Sequence, residues 1–148
     1  MIPLVIDTNI FFSAIYNING LERKIINLSI KQEEIQLFAP DIFWDEIERN
    51  LILKLGYDKQ EIESLLSNFV IIKISRKQYS EFIEQANIII SHKEDAPFIA
   101  TALFLNCPIW SGNEKHFSNL TKSGKVIWFN TRKLFDYLNS KNLINKDD

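Results

Sequence analysis

Short apolar runs punctuate the chain at Ile2-Pro3-Leu4-Val5-Ile6, Ile35-Gln36-Leu37-Phe38-Ala39, Val70-Ile71-Ile72-Lys73-Ile74, Pro108-Ile109-Trp110 and Val126-Ile127-Trp128-Phe129. Their β-branched and aromatic residues suit strands, and the first has the continuous apolar character of a strand buried on both faces. Between them apolar residues recur at helical spacing over about 21–32, 41–55, 58–68, 76–90, 94–105 and 131–139. The segment from Thr8 also opens with residues that start helices. Gly56 is placed to end one helix, Asp58-Lys59-Gln60-Glu61 has the form of a capping box for the next, and Thr131 is the expected N-cap of the last. Strands alternating with helices predict an α/β domain with a mostly parallel central sheet and helices on its faces. The domain is expected over residues 1–138, with 139–148 a polar tail that frays.

Composition narrows the function classes. With 17 Lys and Arg against 19 Asp and Glu, the formal charge is −2, so contact with nucleic acid requires a local basic patch. Cys107 is the single cysteine, which excludes an internal disulfide and fits a reducing, cytoplasmic compartment. The first run has no basic segment before it and is interrupted by Asp7, so it is not expected to be a signal peptide. No apolar stretch approaches bilayer-spanning length, and no membrane association is expected.

Chemistry enters with carboxylates in unusual places. Asp7 directly follows the first apolar run, where open α/β sheets gather ligands and catalytic groups. The alternative is that Asp7 or Thr8 simply caps the following helix. Glu46 falls between Ile42 and Phe43 on a helical wheel and so faces the packed side, where a Glu needs a partner or a cation. A Glu at the boundary that reaches solvent would look the same, while Asp45 and Glu48 point to a solvated face. Asp95 shares a stripe with Phe98, Ile99 and Ala102, and Pro97 places it at a helix start; an ordinary N-cap is its alternative. Three such acids brought together would repel one another. Mg²⁺ or Mn²⁺ would resolve this through oxygen ligands. The chain offers no zinc-type His or Cys cluster, and His92 and His116 read as loop histidines.

Val5-Ile6-Asp7-Thr8-Asn9, Pro40-Asp41-Ile42-Phe43-Trp44-Asp45-Glu46, Lys93-Glu94-Asp95-Ala96-Pro97-Phe98-Ile99-Ala100 and Ile109-Trp110-Ser111-Gly112-Asn113-Glu114 resemble, in order and spacing, the PIN domain family. That family includes ribonuclease toxins of the VapC type. The resemblance covers roughly residues 2 to 135 and implies a three-layer α/β/α sandwich. It further implies a metal-dependent endoribonuclease acting on RNA, with Asp7, Glu46 and Asp95 holding Mg²⁺ or Mn²⁺. Asn9 stands at the polar position supporting the first acid, and Ser111 at the hydroxyl before the family's fourth acid. At that fourth position this chain has Asn113, followed by Glu114. An Asn oxygen can bind a cation but carries no charge, and Glu114 could substitute for it, so the metal set is read as including both Asn113 and Glu114. Arg49, Lys54, Lys93 and Lys115 are the candidate phosphate contacts. Trp44 and Trp110 are more readily core residues than base-stacking ones. The resemblance also leaves room for a cognate antitoxin and a homodimer. The rival expectation is a PIN-fold module that binds nucleic acid or protein without catalysis. Asp7-Thr8-Asn9 lacks the second acid of an Asp-x-Asp phosphatase, Val70 to Ser75 offers no receiver-type Asp, and four glycines form no phosphate loop.

Overall fold

The computed structural model describes residues 1–117 and 119–144, without the side chain of Thr121. Its centre is a sheet ordered β3-β2-β1-β4-β5 among the described residues, formed by β1 (Ile2–Ile6), β2 (Ile35–Pro40), β3 (Ile71–Ile74), β4 (Ile109–Trp110) and β5 (Trp128–Phe129). Every neighbouring pair is parallel, with Val5 opposite Phe38 on one side and Ile109 on the other. β1 therefore lies in the middle, and Leu4, Val5 and Ile6 are completely buried. This is why the first strand is an unbroken apolar run: helices cover both of its faces.

The helices are α1 (Thr8–Tyr16), α2 (Leu21–Lys31), α3 (Ile42–Leu55), α4 (Lys59–Leu66), α5 (Arg76–Tyr79), α6 (Ile83–Ile89), α7 (Ala96–Leu105), α8 (Glu114–Phe117), α9 (Leu120–Ser123) and α10 (Thr131–Ser140). On one face α7 crosses β1, β2 and β4 and carries α5 and α6; α1, α2, α3 and α10 pack among themselves to form the other layer. Ala96, Ala100 and Ala102 are buried on α7, and their small side chains let this helix lie close to the sheet. The fold is thus the expected α/β/α sandwich, and its sheet is wholly rather than mostly parallel.

Local signals explain most boundaries. Asp58 and Glu61 form the reciprocal capping box of α4, and Gly56 ends α3 at φ 67°, a conformation that favours glycine. Three features differ from the sequence reading. The single helix expected over 76–90 is interrupted by a 3₁₀ turn at Ser80–Phe82, next to Tyr79. Tyr79 is fully buried, and its hydroxyl donates to Asp41 Oδ1 at 2.7 Å, tying this segment to the start of α3. The last helix is capped by Asn130, whose side chain accepts from the Lys133 amide. The Thr131 hydroxyl is otherwise engaged, accepting the Trp110 indole N–H at 3.1 Å. In the segment expected to fray, α10 runs to Ser140 and Leu143 and Ile144 are buried against the core; residues 145–148 of the expected tail lie outside the described residues.

Candidate active site

A wholly parallel sheet puts the carboxyl ends of all its strands on one edge, and the chain's unusual acids meet there. Asp7 leaves β1, Glu46 comes from the second turn of α3, and Asp95 directly precedes α7. All three line one cleft of about 330 Å³, together with Asn9, Arg49, Asn50, Glu94, Phe98, Asn113 and His116.

Asp7 is only 6% exposed. It sits at the N-cap position of α1, yet makes no side-chain capping bond. Its Oδ2 instead accepts the Ser111 hydroxyl at 2.7 Å. Ser111 in turn accepts the Asn113 amide at 3.1 Å on its Oγ, and its carbonyl accepts the Trp128 indole N–H at 2.9 Å. Its own amide donates to the Phe129 carbonyl at 3.1 Å, so Ser111 is anchored on three sides while it holds the first acid. Asp95 likewise makes no capping bond. Its Oδ2 meets His116 Nδ1 at 2.6 Å, and neither atom has any other polar partner among the described residues.

The electrostatics follow from this placement. Burial pushes the Asp7 carboxyl above the usual carboxylate range; the Ser111 hydroxyl pulls it back, and the Asp95 charge raises it further. Burial likewise raises Glu46, opposed by the Thr8 hydroxyl and Arg49 and reinforced by Asp7 and Asp95. The Thr8 hydroxyl is itself buried and otherwise unpartnered. Asp95 is raised by burial, offset by His116 and reinforced by Glu94. Three carboxyls that resist ionisation at one point form a site that favours added positive charge.

The remaining sequence candidates divide. Asn9, Arg49 and Asn113 line the cleft. Glu114 is exposed, turned out of it at the start of α8. Lys93 and Lys115 are exposed outside the lining, and Lys54 places its ammonium 5.0 Å over the Phe12 ring. Trp110 is fully buried core; Trp44 is partly buried with Lys73 4.9 Å above its ring. His116 is not a loop residue. It stands on α8, one turn after Asn113, and lines the cleft.

The sequence profile of the PIN domain matches residues 5–137. The chain belongs to the PIN domain family. A comparison with curated proteins finds no match. Among solved structures, the fold is similar to VapBC-1 from nontypeable Haemophilus influenzae at 22% identity and TM-score 0.60, covering 90% of this chain and 100% of that one. It is similar to VapBC2 from Rickettsia felis, bound to a DNA fragment from their promoter, at 21% identity and TM-score 0.60, covering 87% and 98%. A toxin–antitoxin complex from Klebsiella pneumoniae matches at 23% identity and TM-score 0.59, covering 78% and 90%. Identity this low speaks to the fold alone.

Within this PIN domain, sequence reasoning missed His116, Asn50 and Glu94 as cleft residues. Asn50 follows Glu46 by four positions, so it shares that face of α3, and this spacing could have found it. His116 carried no such signal, because a four-residue helix shows no periodicity. Among the described residues no helix is long and apolar enough to cross a membrane.

Proposed function

We propose that this PIN domain is a metal-dependent endoribonuclease that hydrolyses RNA phosphodiester bonds, acting as the toxin of a toxin–antitoxin pair. The observation that carries the reading is the convergence of Asp7, Glu46 and Asp95 on one polar cleft at the carboxyl edge of the sheet. The donor set fits Mg²⁺ or Mn²⁺, which prefer carboxylate and carbonyl oxygens. The raised carboxyls agree with a site completed by a cation. No group of three or more His, Cys, Asp or Glu stands at metal-holding spacing among the described residues. Of Asp7, Glu46, Asp95 and the Asn113 oxygen, some would hold the ion directly and the others through its bound waters, several of which Mg²⁺ usually keeps.

When bound, the ion supplies an activated water and neutralises charge on the phosphate. The chain's own residues do the rest. Arg49, on the face of α3 that carries Glu46, offers a guanidinium suited to the phosphate oxygens. Asn9, Asn50 and Asn113 offer amide donors and acceptors around the strand. Recognition of a single strand by such groups suits RNA with splayed bases. The resemblance to chains solved as toxin–antitoxin complexes supports an antitoxin partner. A second reading, a binding module without hydrolysis, is favoured by one observation: the cleft carries uncharged Asn113 at the fourth position.

The test is cleavage of a mixed-sequence RNA across a Mn²⁺ and Mg²⁺ titration, with Asp7→Asn as control. Cleavage should require the ion and fall by about 10²-fold or more in Asp7→Asn, consistent with loss of about 2.7 kcal/mol of charge stabilisation. A parent that binds RNA but cuts none at any ion concentration would replace the nuclease reading with the binding module.

A further inference from the structure

The segment from Ser111 to His116 touches two of the three acids and gives each one partner. Ser111 Oγ donates to Asp7 Oδ2 at 2.7 Å, and five residues later His116 Nδ1 meets Asp95 Oδ2 at 2.6 Å. One oxygen of each carboxylate is thereby engaged by this segment. The hydroxyl that precedes the fourth family position was visible in the sequence; the histidine was not. His116 is itself fixed. Its amide bonds the Asn113 carbonyl at 3.1 Å, its ring lies parallel to His92 with centroids 3.6 Å apart and planes 19° apart, and its side chain is 21% exposed against 44% for His92. The adjacent Phe117 is fully buried and pins α8 to the core. A ring held by stacking on one side and by a core neighbour along the chain has little freedom to leave Asp95.

We propose that His116 is a positioning residue for Asp95, with His92 as its backing: together they fix the Asp95 carboxylate in the orientation that completes the acidic cleft. The alternative source of order for Asp95, a capping bond to the first turn of α7, is absent. Asp95 closes the 3₁₀ turn Lys93–Asp95 that leads into α7, and its carboxylate bonds to neither helix. A carboxylate beside Glu94 and facing the charges of Asp7 and Glu46 would otherwise swing toward solvent. Groups behind a ligand that set its orientation commonly change metal affinity by about 10–100-fold when removed. This inference rests on the metal-binding reading above and adds to it a residue that acts through Asp95.

The experiment measures Mn²⁺ binding to the intact chain by titration calorimetry for the parent and two variants chosen to separate the donor from the ring. His116→Phe keeps a ring to stack on His92 and removes the donor; His116→Asn keeps a donor near the position of Nδ1 and removes the ring. His116→Phe should weaken Mn²⁺ binding by about tenfold or more, and His116→Asn should stay within about threefold of the parent, a rescue that loss of packing would not produce. Thermal unfolding without the ion confirms that each variant is folded, and His116→Leu replaces the Phe variant if that one is not. Equal Mn²⁺ affinity in the parent and the donor-free variant overturns the role of His116 while leaving the metal reading intact. Equal losses in the Asn and donor-free variants make His116 a packing residue and also overturn it. A parent that binds no Mn²⁺ overturns the metal reading and this inference together.

Discussion

Asp95→Asn separates a carboxylate kept for a cation from one kept for structure, because the two roles give opposite signs. An ordinary N-cap lost at this position would cost about 0.5–2 kcal/mol, but Asp95 makes no capping bond. Its one polar contact, His116 Nδ1 on Oδ2 at 2.6 Å, survives the change, since an Asn oxygen also accepts. The loss is the difference between a charged and a neutral acceptor, about 1 kcal/mol. Against it stands relief of a carboxyl that burial and Glu94 already make hard to ionise. The metal-free variant should therefore lie within about 1 kcal/mol of the parent and on its stable side, a Tm difference of about 2–4 °C for a domain of this size. Saturating Mn²⁺ should invert that order. At a hundred times Kd the parent gains about 2.7 kcal/mol, while a variant with tenfold weaker affinity gains about 1.4 kcal/mol. Asp7, Glu46 and Asp95 are all raised above 3.8 or 4.5. As pH climbs from those ordinary values through the raised ones, the folded state holds more protons than the unfolded one, so metal-free stability falls. The gap between variant and parent should accordingly vanish below about pH 4 and open toward neutrality. Differential scanning fluorimetry over pH, with EDTA or Mn²⁺, measures every arm. A metal-free loss above about 2 kcal/mol, or equal Mn²⁺ shifts in both proteins, would refute the reasoning.

Other expectations are simpler. Asn113→Asp should tighten Mn²⁺ binding and lower metal-free Tm by adding a further carboxylate to the cleft, whereas Glu114→Gln, altering an exposed residue outside it, should change neither; calorimetry and melting curves decide both. Tyr79→Phe removes a 2.7 Å hydrogen bond to the Asp41 carboxylate and should cost about 1.5–3 kcal/mol, read from urea unfolding, with no change in Mn²⁺ affinity. Burial pushes the Cys107 thiol up to about 12, so it should react with a disulfide reagent only on the unfolding timescale; rapid labelling of the native protein would show that Cys107 is accessible.

The fold was legible wherever local chemistry and global placement agree. The run before Asp7 reads as a doubly buried strand because it occupies the centre of the sheet, and Gly56 and Asp58 mark helix ends through interactions confined to four residues. The three acids were legible because each breaks an apolar pattern. The rest depends on partners far away in sequence. Thr131 resembles a cap, but its hydroxyl is taken by Trp110, 21 residues earlier. His116 is defined by Asp95 and His92, neither of which leaves a periodic mark near it. Glu114 seemed able to replace an acid at Asn113, but the turn of α8 carries it outward.

In the order of synthesis Asp7 precedes the serine that holds it by 104 residues. At translation speeds of about 5–20 residues per second, that interval is about 5–20 s. Throughout it the first acid lacks its hydroxyl partner, and Asp95, once made, waits a further 21 residues for its histidine. A cleft assembled in this order stays incomplete until the segment from Ser111 to His116 has been made and folded against it.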